Sequence, residues 1–130
     1  MRIARDLYDQ MVAHAQEEAP NECCGIVGSR DGEAKCVYRA RSLEPSPYRF
    51  EIEPHDQIRI WNDIEDNGYD AAIYHSHIRT EPKPSPADIN FAREWPGTVW
   101  IIVGLAENPP EVRAWHIDDG LVRDAELIVE

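Results

Sequence analysis

The sequence predicts an α/β (α+β) sandwich, a mixed β-sheet flanked by helices, and three observations carry that prediction. Apolar residues recur at helical spacing over residues 4–18, 55–67 and 86–94. Short apolar runs follow them at 23–29, 71–77 and 98–104, the length of buried strands. Turn residues, Asp31-Gly32 and Asp118-Asp119-Gly120, join neighbouring runs as hairpins, so antiparallel pairs and helix-linked strands have to share one sheet.

Each element has its own signal. Over 4–18, Leu7, Tyr8, Met11, Val12 and Ala15 form one apolar face, Pro20 ends the pattern, and His14 reads as a solvated side chain without a role. Residues 23–29 (CCGIVGS) read as a buried strand and 34–40 as its hairpin partner. The segment 41–48 (RSLEPSPY) has two prolines and no period, which makes it a loop suited to lie over a cleft, and 49–53 alternates as a short strand. Over 55–67, Ile58, Trp61 and Ile60 or Ile64 recur at helical spacing, with Pro54 at the start, Gly68 at the C-terminal cap and Trp61 expected in the core. The strand at 71–77 follows directly, so strand 49–53, this helix and strand 71–77 are expected to form a crossover unit. Trp95-Pro96-Gly97 closes the helix at 86–94, and residues 98–104 (TVWIIVG) read as a central strand. Beyond the loop at Asn108-Pro109-Pro110 come strands at 112–117 and 121–129.

A chain of 130 residues is expected to form one domain, 1–130. A net charge of −12 without any basic stripe argues against a nucleic-acid partner, because phosphate neutralisation needs clustered Lys and Arg. No apolar run reaches a membrane span and the charged start has no signal-peptide core, so a cytoplasmic protein without a membrane partner is expected. The cysteine count is three, and adjacent Cys23 and Cys24 point to opposite faces of a strand, which argues for reduced thiols.

The chemistry concentrates at 71–88, AAIYHSHIRTEPKPSPAD. Strand side chains alternate, so His75 and His77 leave one face together while Ser76 points away. With a carboxylate they would fill three positions of tetrahedral zinc and leave the fourth for water, the arrangement of catalytic sites. Ser85-Pro86-Ala87-Asp88 reads as a capping box opening the next helix, which brings Asp88 to a helix start near the strand end. A hydrolytic site also needs a general base, and on spacing alone Glu22, Glu51, Glu53 and Glu81 are all candidates. A cupin-type site built from His75, His77 and Glu81, with His116 as a later ligand, is a competing arrangement; it requires an almost all-strand chain, against the helical patterns.

Glu22, then His75-Ser76-His77, then Ser85-Pro86-Ala87-Asp88 resembles the JAMM signature of the MPN-domain metallopeptidases. The opening helix, NECCGIVG, SPYRFEIEP, IYHSH and VRAWHIDDG resemble the small bacterial members, so the likeness spans nearly the whole chain. It implies an MPN-type sandwich with a curved mixed sheet, cytidine-deaminase-like. It further implies Zn2+ held by His75, His77 and Asp88, Glu22 as proton shuttle and Ser85 as oxyanion donor. The substrate implied is a ubiquitin-like sulfur-carrier protein with a C-terminal Gly-Gly, from whose adduct cysteine is released in cysteine biosynthesis. A deubiquitinase-like isopeptidase acting on a prokaryotic ubiquitin-like modifier and a non-catalytic MPN scaffold are the alternatives, and a homodimer is compatible with the sequence. Ile78 departs from the family, which commonly has proline after the second histidine, and this puts the shape of the following loop in question.

Overall fold

The computed structural model describes residues 1–130. In chain order its elements are β1 (Arg2–Ile3), α1 (Arg5–Glu18), β2 (Cys24–Arg30), β3 (Glu33–Ala40), α2 (Pro54–Asn67), β4 (Asp70–His77), α3 (Pro86–Phe91) continued by a 3-10 turn (Ala92–Glu94), β5 (Val99–Gly104), β6 (Glu111–Asp118), β7 (Leu121–Ala125) and β8 (Ile128–Val129). The strands make one eight-stranded mixed sheet in the order β7-β6-β5-β4-β2-β3-β1-β8. β4 runs parallel to β5 across α3, and antiparallel to β2.

Two apolar clusters lie on opposite faces of this sheet. On one, Cys24, Ile26, Ile73, Trp100 and Ile102 meet Ile60 and Ile64 of α2 and Ala92 beyond α3. On the other, Cys23, Val27, Ala72, Tyr74, Ile101 and Val103 meet Met11 and Ala15 of α1. Fully burying each large aliphatic side chain stabilises by about 1.5–3 kcal/mol, so both faces hold the sheet rigid under the site. Adjacent Cys23 and Cys24 fall into different clusters, as strand alternation requires, and all three cysteines are free. Gly25 makes room for Tyr74: a Cβ there would lie 2.3 Å from the tyrosine ring.

Local capping follows the sequence signals. Gly68 closes α2 at φ 66°, and the Glu53 carboxylate accepts from the backbone N–H groups of His55 and Asp56 at its start. The hairpin turns place Asp31, Gly32, Asp119 and Gly120 at positive φ, the geometry that two-residue turns between twisted strands require.

Five expectations are corrected. Residues 49–53 form no strand: one bridge, Ser42 with Ile52, is all the pairing they have, and Glu53 turns at once into the cap of α2. The crossover into β4 therefore starts from β3, with β2 inserted between the two parallel strands. The terminal run 121–129 is two strands, and β8 crosses to the far edge to pair in parallel with β1. On α2, Ile60 and Ile64 face the core, Ile58 is exposed, and Trp61 is partly buried against Trp95. His14 is also misjudged by the sequence: it is 3 % exposed, and its Nδ1 lies 2.7 Å from the Tyr74 hydroxyl. No helix is long and apolar enough to cross a membrane.

Candidate metal and catalytic site

β4 presents His75 and His77 at its C-terminal end, on the α2 and α3 side of the sheet. Both are buried. Ser85 is the N-cap of α3: its Oγ accepts from the Asp88 backbone N–H at 3.1 Å, and Asp88 Oδ2 accepts from the Ser85 N–H at 3.0 Å. That reciprocal box turns the buried Asp88 carboxylate toward the strand end. His75 Nε2, His77 Nε2 and Asp88 Oδ2 then form a triangle with edges of 3.2, 3.0 and 3.1 Å.

This triangle fits a tetrahedral cation. Ligand bonds of about 2.0–2.1 Å give tetrahedron edges of about 3.3 Å, close to the three distances. His77 Nδ1 lies 2.8 Å from the Glu81 carbonyl, which can only accept, so Nδ1 carries the proton and Nε2 presents its lone pair to the centre. The His75 ring is held by stacking on Phe50, centroids 4.6 Å apart, while its Nδ1 has no hydrogen-bond partner. Burial alone would raise the Asp88 carboxyl, but His75 and His77 beside it hold it far below the usual carboxylate range. Burial lowers His77, and the hydrogen bonds to Asp88 and the Glu81 carbonyl together with the charges of Asp88 and Glu22 outweigh that and raise it. Converging lone pairs with so few protein donors between them are the chemistry of a ligand set.

Glu22 arrives from the neighbouring strand. The antiparallel register pairs Cys24 with His75, so continuing it outward sets Glu22 opposite His77. Ser76, on the other face, locks that register: its Oγ accepts from the Cys23 N–H at 2.8 Å. The Glu22 N–H donates to Ser46 at 2.8 Å, tying the 41–53 loop to the same strand end. Glu22 is 6 % exposed with Oε1 unpaired, and burial pushes its carboxyl up to about 8, His77 pulling it down and Asp88 pushing it up. A cation at the triangle would draw it lower.

Of the other carboxylates considered as base, Glu53 is spent capping α2, and Glu51 and Glu81 are exposed. Glu81 offers the triangle its backbone carbonyl, and the three helices exclude the cupin arrangement. A cavity of about 280 Å³ opens beside the triangle, lined by Glu22, His77 and Ser85 with Tyr48, Ile78 and Arg79. Two supports had no sequence signal. Phe50 backs His75 from the 41–53 loop, and the Trp115 indole N–H donates to the Pro82 carbonyl at 2.9 Å, pinning the loop between β4 and α3. Gly104 lets that loop pack close, since a Cβ there would stand 2.9 Å from Pro82.

The family described as prokaryotic homologues of the JAB domain matches residues 4–118. A CysO-cysteine peptidase of Mycobacterium tuberculosis is 32 % identical over 126 residues, covering 94 % of this chain and 86 % of that protein. A desampylase of Haloferax volcanii is 35 % identical over 112 residues, 78 % of each chain. Among solved structures, the solution structure of a Desulfitobacterium hafniense protein superposes with a TM-score of 0.88 at 31 % identity, covering all of this chain and 93 % of that one.

Proposed function

The chain belongs to the prokaryotic JAB-domain family of JAMM-type peptidases, and from that premise we propose that it is a zinc hydrolase acting at the C-terminus of a ubiquitin-like protein. We infer further that the bond it breaks joins a sulfur-carrier protein, ending in Gly-Gly, to cysteine. One observation carries the reading: the His75, His77 and Asp88 ligand atoms converge beside a cavity that Glu22 and Ser85 also line.

Held by His75 Nε2, His77 Nε2 and Asp88 Oδ2, zinc would supply a water acidified to near-neutral pH and polarisation of the scissile carbonyl. Glu22 accepts the proton of the attacking water and passes it to the leaving nitrogen, a double task that suits a carboxyl lifted by burial toward neutral pH. Ser85 Oγ uses its lone pairs on the helix N–H and keeps its proton for the oxyanion that develops on the carbonyl. Phe50 and the Glu81 carbonyl hold the two imidazoles in place, so little reorganisation accompanies the reaction.

The relatives named for CysO-cysteine peptidase and desampylase activities support this substrate class. Incubating the zinc-loaded protein with a ubiquitin-like protein ending in Gly-Gly-Cys, and with one joined to lysine through an isopeptide bond, tests it by intact mass. Loss of cysteine from the first is expected. Cleavage of the isopeptide alone would move the assignment to an isopeptidase, and cleavage of neither would remove the substrate reading.

A further inference from the structure

Two cavities flank the metal ligands, and their charges differ. The first, about 340 Å³, lies beside Asp88 and is lined by Glu44, Glu51 and Glu94. Its one cation, Arg49, is already engaged by Glu44 at 3.6 Å. The second is the 280 Å³ cavity beside Glu22, His77 and Ser85, and its one cation is Arg79. Arg79 is exposed at the rim of this cavity, and no carboxylate of the acidic chain, net charge −12, pairs with it.

The loop that carries Arg79 is anchored at both ends. The His77 carbonyl accepts from the Leu105 N–H at 2.9 Å, and the Glu81 and Pro82 carbonyls are taken by His77 and Trp115. Arg79 therefore leaves a fixed stretch of backbone at the rim of the cavity where Glu22 protonates the leaving nitrogen. An uncommitted guanidinium there is a fork of donors matched to a carboxylate.

The chemistry of the leaving group makes this decisive. When a C-terminal amino acid is released, its α-carboxylate is one carbon away from the departing nitrogen. When a lysine side chain is released from an isopeptide bond, no carboxylate is near. On a protein of net charge −12 an α-carboxylate needs a cation of its own to receive it, since zinc would be engaged by the water and the scissile carbonyl. Resting on the function proposed above, we propose that Arg79 is the specificity-determining residue of the leaving-group side, its guanidinium receiving the α-carboxylate of the released amino acid. The carrier tail then lies across the other, carboxylate-lined side, where a carboxylate has no free cation to meet.

The test uses the zinc-loaded full chain and a carrier protein ending in Gly-Gly-Cys, prepared once with a free α-carboxylate and once as the C-terminal carboxamide. The wild type should cleave the free acid with a kcat/KM about tenfold above that of the amide, the factor of one charge-assisted contact in a half-open site. Arg79→Ala should lose that factor on the acid and nothing on the amide, and Arg79→Lys should restore part of it. A merely structural role would slow both substrates alike, and that result, or equal cleavage of acid and amide by the wild type, overturns the assignment of Arg79 alone. Cleavage of neither by the wild type overturns the substrate reading and this assignment with it.

Discussion

The two faces of β4 are built to opposite rules. Toward α1, Tyr74 and Ser76 are each paired: the tyrosine hydroxyl meets His14, and the serine accepts from the Cys23 N–H. Toward α2 and α3, His75 and His77 aim lone pairs at a shared point with Asp88, and Glu22 waits nearby with an unpaired oxygen. Buried polar groups cost stability unless they are paired, so the first face stabilises the fold and the second costs it something until a cation arrives. Four residues in a row thus divide their work by side-chain parity alone.

The largest effect that would break this division is at the ligands. His75→Ala should lower zinc affinity by more than about 100-fold and remove turnover; the rise in melting temperature expected of the wild type on adding zinc should vanish too. Zinc titration by calorimetry and thermal melts with and without a chelator read both, and undiminished zinc affinity would remove His75 from the ligand set.

Glu22→Gln sharpens the contrast, because it should move activity and stability in opposite directions. Turnover should fall by about 10²- to 10⁴-fold with zinc retained. In the metal-free protein the buried carboxyl, raised to about 8 from an ordinary 4.5, binds its proton more tightly when folded. Its favourable contribution is complete below 4.5 and is lost as pH rises from 4.5 through about 8, so metal-free Glu22→Gln should melt above the wild type at pH 8 and hold that margin less at pH 5. Identical melting of the two proteins at pH 8 would contradict the burial argument.

Ser85→Ala is expected to cost about 10²- to 10³-fold in kcat with KM little changed, and about 1 kcal/mol of stability through the lost cap of α3. Steady-state kinetics beside a urea titration separate the two effects.

The smallest effect on turnover belongs to the satisfied face. Tyr74→Phe strands the buried His14 Nδ1 and should cost about 1–3 kcal/mol of stability while leaving kcat within about twofold. Burial holds the His14 imidazole below its ordinary 6.5, and Arg39 adds to the effect. The folded state thus refuses a proton that the unfolded chain accepts, so stability is complete above 6.5 and declines as pH falls below it. A Tyr74→Phe protein that lost turnover as severely as Glu22→Gln would dissolve the distinction between the faces.

Much of the site was legible because its signals are local. His75 and His77 share a face by the two-residue period of a strand, and Ser85 with Asp88 declares a helix start by the three-residue reach of a capping box. Glu22 was one of several acids on spacing, and only its resemblance to a family motif singled it out. Local signals failed wherever a neighbour far along the chain decides. His14 looks like any polar residue between apolar ones until Tyr74 closes over it, and 49–53 alternates like a strand although it makes one bridge and runs straight into the cap of α2.

By itself, then, the sequence determined the helices, the paired histidines and the capped aspartate, because each depends on residues within a turn or two of one another. Tertiary structure alone decided that Glu22 faces His77 through the register of β2 on β4, that Phe50 backs His75, and that Arg79 stands unpaired at the rim of a cavity. Those facts depend on which segments pack side by side, and no periodicity along a chain carries that information.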